Sequence, residues 1–279
     1  MATQPLPSKT RTLLTGLAMG ESPRWHGGYL WLSDWGAQEI LRVGMDGARE
    51  VAVRVPFALP FCIDWLRDGR LLIVSGREGL VVCQEPDGSL VPHADLKPFS
   101  KSGWNEIVVD GRGNAYINGG CGIVLLSPEG SVRPVADPFA FPNGMTITPD
   151  NSTLIIAESH GKKLTAFDIA ADGSLSNRRL WADLGDGVPD GICVDAQGAV
   201  WYADVPNKRC VRVREGGQVL QVVNADRGCF ACMLGGPNRE MLFVVATEWR
   251  GMEKMGEVAQ ARTGQVFVID APTPGAGWP

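Results

Sequence analysis

Along the chain, short apolar runs rich in Val, Ile, Leu, Phe, Tyr and Trp alternate with polar breaks containing Gly, Asp and Asn. No long stretch places its apolar positions at a 3.6-residue period, so the pattern predicts short β-strands joined by tight turns. The pattern also repeats. A polar residue, an apolar run, an Asp/Gly-type turn, a second β-rich run, a polar loop and a third strand begin at Glu21 ("ESPRWHGGYLWLSDWGAQEILRVGMDG") and again at Phe61 ("FCIDWLRDGRLLIVSGREGLVVCQEPDG"). Further copies start at Asn105, Asn143 and Asp190, and a more degenerate one starts near Cys229 ("CFACMLGGPNREMLFVVATEW"). Units of about forty residues with three or four strands each are the signature of a β-propeller.

Six units predict an all-β, six-bladed β-propeller with about four antiparallel strands per blade, in one domain spanning residues 1–279. A two-sheet sandwich has no need for the same polar start around the whole chain. The segment "RTLLTG", residues 11–16, has the length of an outer strand for the last blade, and pairing it there closes the ring and removes an open sheet edge. Residues 1–9 and the "APTPGAGWP" tail read as Pro/Gly-rich ends.

In a propeller the first strand of each blade lines the central channel, so the six strand starts converge at one mouth. They read Glu21, Phe61, Asn105, Asn143, Asp190 and approximately Cys229 to Ala231, and four of the six carry side-chain oxygens. Alone, Pro189-Asp190-Gly191 is a common turn signal. In this register Asp190 becomes a channel residue, while Gly191 reads as punctuation. Two carboxylates on a narrow channel are costly to bury unless a cation joins them. Glu21, Asn105, Asn143 and Asp190 therefore form a candidate all-oxygen set for one divalent ion, with Ca²⁺, Mg²⁺ or Mn²⁺ suiting it more than Zn²⁺.

With 26 basic and 31 acidic residues the net charge is −5, and no Lys/Arg run forms a nucleic-acid arm, so a nucleic-acid partner is not expected. The apolar "LLTGLAMG" is too short and Gly-broken for a membrane span and follows no recognisable signal-peptide pattern, which predicts a cytoplasmic protein without a membrane partner. Seven cysteines in no framework fit a reducing compartment, and Cys229 and Cys232, though a C-x-x-C, read as buried strand residues.

The segments "GESPRW", "WNEIVVDGRGN", "FPNGMTITPD" and "PDGICVDAQGAVWYAD" together resemble the SMP-30/gluconolactonase/LRE-like family, from about Glu21 to "CFACMLGGP". The resemblance implies a six-bladed propeller with one catalytic divalent metal on Glu21, Asn105, Asn143 and Asp190, and a lactone-opening hydrolase, with organophosphate hydrolysis on the same metal as the alternative. A non-catalytic binding scaffold is the competing class, since fold does not fix function. A metal-free condensing propeller related to strictosidine synthase is expected to lack the Glu/Asn/Asn/Asp set. Asp190 is the candidate general base, or in a variant mechanism the nucleophile, with Glu21 as ligand and charge balance and Asn105 serving metal and substrate.

Where sugar-lactone members carry an Arg two residues before the channel Asn, this chain has Gly103, and "AYINGGCGIVLL" supplies no acid for sugar hydroxyls, which points to a less polar lactone or ester. Rim loops supply Trp35, Arg77, His160 and Asn207; Trp35 and Trp104 are candidate walls of an apolar substrate pocket, and His160 a candidate substrate contact or acid/base. The long rim loop at residues 248–264, with helix-forming "MEKMGEVAQA", is a candidate lid.

Overall fold

In this computed structural model, which describes residues 10–120 and 122–278, the apolar runs form six four-stranded antiparallel sheets. Blade 1 runs outward through Gly20–His26, Tyr29–Asp34, Glu39–Val43 and Arg49–Arg54. Blades 2 to 5 repeat that order, with inner strands Phe61–Trp65, Trp104–Val109, Pro142–Ile147 and Pro189–Val194. Blade 6 runs Gly228–Gly235, Met241–Thr247 and Gly264–Asp270, and its outermost strand is Arg11–Leu17 from the other end of the chain. Neighbouring inner strands touch all the way round, blade 6 against blade 1, so the molecule is a closed six-bladed β-propeller.

The turns follow from the local sequence. In "RDGR" and "PDGS" the carboxylates of Asp68 and Asp87 accept the backbone N–H two residues on, and Gly69 and Gly88 take φ of 86°. That left-handed conformation is open to Gly at low cost.

Because both faces of every blade are covered by a neighbour, the core is divided into six apolar layers between blades. Ile40, Phe61 and Ile63 share the layer between blades 1 and 2, and Leu17, Leu32 and Phe243 the one between blades 6 and 1. Cys193, Cys210, Cys229 and Cys232 all lie buried in the layer between blades 5 and 6. Cys121 lies outside the described residues.

The "APTPGAGWP" tail differs from its reading as a simple end. Its residues 271–278 cross the face opposite the candidate site, pairing Gly275 with Asp195 and Trp278 with Ile147. Buried Arg212 fixes it by bonding Asp195 at 2.6 Å and Thr273 at 3.0 Å. Residues 1–9 lie outside the described residues. Among the described residues no helix is long and apolar enough to cross a membrane.

Candidate functional site

A regular strand turns successive side chains to opposite faces, yet here the inner strands of five blades break register near their starts. The breaks fall between Glu21 and Arg24, Trp104 and Glu106, Pro142 and Met145, Pro189 and Ile192, and Cys229 and Ala231. Each is a β-bulge, which re-aims a side chain and interrupts the alternation. Asn105, Asn143, Asp190 and Phe230 lie in the bulges of their blades, and Glu21 immediately precedes the bulge of blade 1. The inner strand of blade 2 pairs without a shift, and its start is Phe61.

The bulged segments sit close together. The Asn105 amide donates to Pro142 O at 3.0 Å and lies 3.4 Å from Asn143 Oδ1. Asn143 donates to Ser159 Oγ at 3.3 Å, and Ser159 in turn donates to Pro189 O at 2.7 Å. Asn118 holds Asn143 O at 2.6 Å, leaving its own Oδ1 buried without a partner.

Gly144 and Gly191 serve this approach between strands. A Cβ on Gly144 would stand 2.6 Å from Asp190 O and Ile192 N, and one on Gly191 would stand 2.6 Å from Ala231 Cβ. Gly191 is therefore a close-packing residue inside a strand, not the turn residue its Pro-Asp-Gly context predicts. Gly144→Ala is expected to push blade 5 away from blade 4, lowering thermal stability by about 1–3 kcal/mol and activity with it. Unfolding curves and a lactone assay check this; an unchanged stability contradicts it.

Burial and mutual repulsion govern the electrostatics. Glu21 is 7% exposed, and desolvation, opposed by the Ser22 N–H and reinforced by Glu106, pushes its pKa up to about 8. Burial raises Asp190 far above the usual carboxylate range, with Glu21 and Glu106 adding to the shift and a hydrogen bond from Asn143 opposing it. Below them, Arg24 donates to Glu106 Oε1 at 3.0 Å and Ile107 O at 2.7 Å, and its Nε lies 3.9 Å from Asp64 Oδ2. Desolvation works against charge on Arg24, but Glu106 and Asp64 more than offset it. Asp64 is itself pushed up to about 6 by burial despite Arg24 and the amides of Val109 and Trp65.

Along the channel, Glu21, Asp190, Glu106 and Asp64 thus face a single guanidinium. This excess of acid, with amide oxygens beside it, fits a hard cation chemically. Among the described residues no group of three or more His, Cys, Asp or Glu side chains is placed to hold a metal ion.

The other expected site residues divide. Trp104 is 2% exposed and packs between blades 2 and 3 with Leu72, Val74 and Ile117, so it is blade core and not a pocket wall. It precedes the bulge and faces inward to the sheet layer. His160 is exposed on the rim, stacked on Phe141 at 4.6 Å. Asn207 anchors its loop by bonding Asp204 Oδ2 at 2.9 Å and Asp186 O at 3.2 Å. Trp35 donates Nε1–H to Phe61 O at 2.5 Å and packs beside Met19, Phe230 and Val258.

Val258 belongs to the helix Met255–Ala261 within the long rim loop and is fully buried in that apolar cluster, where Trp249 meets Phe230 edge-on at 5.3 Å. The loop is thus folded onto Phe230 of the sixth bulge. Sequence reasoning named neither Arg24, Glu106 and Asp64 nor Phe230. The first three lie inside apolar strand patterns, where only knowledge of the bulges reveals their direction.

A propeller whose bulged strand starts gather carboxylates and amides at one mouth defines a recognisable class. Residues 19–248 match the sequence model of the SMP-30/Gluconolactonase/LRE-like region, and the chain belongs to that family. Regucalcin of Xenopus laevis is 32% identical over 153 residues, 53% of this chain and 50% of that protein, so the chain matches about half the length of this relative. Pentonolactonase XacC of Haloferax volcanii is 26% identical over 286 residues, covering 95% of each chain. Among solved structures, a calcium-binding protein, regucalcin, from Agrobacterium tumefaciens superposes with a TM-score of 0.80 at 20% identity, covering 99% of this chain and 97% of that one.

Proposed function

We propose that this protein is a lactonase-type hydrolase that opens a lactone or related cyclic ester with one divalent cation, Ca²⁺ by preference, held by Glu21, Asn105, Asn143 and Asp190. The observation that carries the reading is the pair of buried, mutually repelling carboxylates, Glu21 and Asp190, beside two channel amides at one mouth. A pentonolactonase and a calcium-binding regucalcin among its relatives support it.

When bound, such an ion supplies Lewis-acid polarisation of the substrate carbonyl. Asp190 would take a proton from the attacking water. Glu21 balances charge, and Asn105 orients the substrate. Arg24 holds Glu106 in place beneath them.

Trp35 and Trp249, the half-buried edge of the apolar cluster of Met19, Phe230 and Val258, support a substrate less polar than a sugar lactone. So does Gly103, which sits at φ 81° where sugar-lactone relatives are expected to carry Arg.

The test is hydrolysis of an alkyl-lactone, sugar-lactone and organophosphate panel after chelation and after adding back Ca²⁺, Mg²⁺, Mn²⁺ or Zn²⁺. Alkyl-lactone turnover that disappears on chelation and returns best with Ca²⁺ is expected; turnover indifferent to chelation contradicts the proposal. Replacing Met252–Arg262 by a short Gly/Ser linker removes buried Val258, which packs under Trp35 and Trp249, and is expected to raise KM for alkyl lactones severalfold, as for loss of apolar packing worth about 1–3 kcal/mol. Unchanged KM across the panel refutes the lid assignment.

A further inference from the structure

At the end of the channel opposite the carboxylate mouth lies a second cavity of about 450 Å³, a volume typical of small-molecule sites. Arg24 separates it from that mouth by its bond to Glu106, and Arg67, Arg239 and Trp278 line it together with Trp65 and His26. The tail encloses one side, since Trp278 exchanges backbone hydrogen bonds with Ile147 at 2.7 and 2.9 Å.

The polar groups of this cavity are not satisfied from within. Arg24 is 5% exposed, yet its Nε has no hydrogen-bond partner, and Nε of Arg239 is likewise buried and unpartnered. No carboxylate acts on Arg239, whose pKa burial pulls down with only Cys193 opposing. The cavity's acids are already engaged. Asp64 accepts from the N–H of Val109 at 2.7 Å and of Trp65 at 2.8 Å. Asp110 accepts from the N–H of Arg112 and Asn114 at 2.8 and 2.9 Å and from the Asn114 amide at 3.0 Å. A buried donor without a partner is expensive, and both Nε groups lie sealed within the cavity wall, so the guanidinium groups of Arg24 and Arg239 are not satisfied by the protein alone.

The wall beside these donors is flat and apolar. His26 stacks on Trp65 with ring centres 4.2 Å apart and planes 6° from parallel, and burial lowers the His26 pKa, which keeps that face uncharged. Arg24 is already paired with Glu106, whereas Arg67 and Arg239 form no ion pair among the described residues, so these two are the cations available to an anion.

We propose that this cavity is a binding site for a small organic monocarboxylate with a flat apolar body, its carboxylate on Arg239 with help from Arg67, and its ring against His26, Trp65 and Trp278. A planar guanidinium pairs with a carboxylate through two parallel N–H donors, and the aromatic wall buries the remainder. The proposal is independent of the chemistry at the other mouth.

Calorimetric titration of the intact, chelator-treated protein at pH 7 tests it, with 2-naphthoate as probe. 2-Naphthamide keeps the ring without the charge, and inorganic phosphate keeps the charge without the ring. Saturable one-to-one binding of 2-naphthoate is expected, at least about tenfold weaker for Arg239→Gln, as for loss of a charge-assisted bond. Weaker binding is also expected for Arg67→Gln, for 2-naphthamide and for phosphate, with no change for Glu21→Gln at the opposite mouth. Failure to saturate, parental affinity in both arginine variants, phosphate binding as tightly as 2-naphthoate, or weakening by Glu21→Gln each overturns the proposal. Circular dichroism of the two arginine variants confirms that each is folded before its affinity is read.

Discussion

Asp190→Asn is expected to lower kcat/KM for lactone opening by about a thousandfold or more, the scale of a lost general base compounded by a lost anionic ligand. The same substitution is expected to raise the melting temperature of the ion-free protein near pH 8. A carboxylate whose folded-state pKa lies above its unfolded value costs stability once pH exceeds the unfolded value, and Asp190 is raised by burial and by Glu21 and Glu106. Asn retains the shape and removes the repulsion. Opposite signs for activity and stability separate a chemical role from a structural one, and kinetics with a thermal melt read both. A variant that keeps a tenth of its activity, or that melts well below the parent, contradicts the assignment.

The second large effect concerns pH. In the ion-free protein Glu21 keeps its proton up to about 8, against an ordinary value of 4.5, while Glu106, Arg24, Asp190 and Cys232 face it. Between those limits the folded state binds more protons than the unfolded one, so ion-free stability falls as pH rises through this window. A cation entering the mouth must displace the proton. Its affinity is therefore expected to climb from pH 6 to 8 by roughly tenfold per unit for each proton released. Thermal melts across pH 5–9, with chelator and with 1 mM Ca²⁺, show this as two curves that diverge toward high pH. Parallel curves contradict it. The 1 mM figure is a working concentration of about the order that saturates extracellular-type calcium sites.

The propeller was legible because each blade repeats the same polar start, apolar runs and Asp/Gly turns, and because "RTLLTG" has the length of the outer strand that closes the last blade, where Arg11–Leu17 pairs with Gly264–Asp270. Glu21, Asn105, Asn143 and Asp190 were legible as a register, since a ring brings equivalent positions together. The bulges were not. An added residue in one strand leaves no mark on an apolar run, yet it lets the consecutive residues Asn105 and Glu106 both serve the channel: Asn105 bonds Pro142, and Glu106 takes Arg24. Strict alternation sends them to opposite faces. Trp104 was misplaced for the same reason, lying just before the bulge and facing the blade core. The tail was misread because its anchors are distant in sequence: Asp195 and Ile147 contribute backbone pairing and Arg212 a side-chain bond to Thr273, neither of which composition reveals.

The most direct test of a cation held at the bulged mouth is calorimetric titration of chelator-stripped protein with Ca²⁺ at pH 8, on the parent and on Glu21→Gln. The parent is expected to bind one ion with release of protons, and Glu21→Gln to lose at least about a hundredfold in affinity, as when one of two charged ligands is removed. Equal affinity in both proteins, or no binding of Ca²⁺, Mg²⁺ or Mn²⁺ to the parent, contradicts the account.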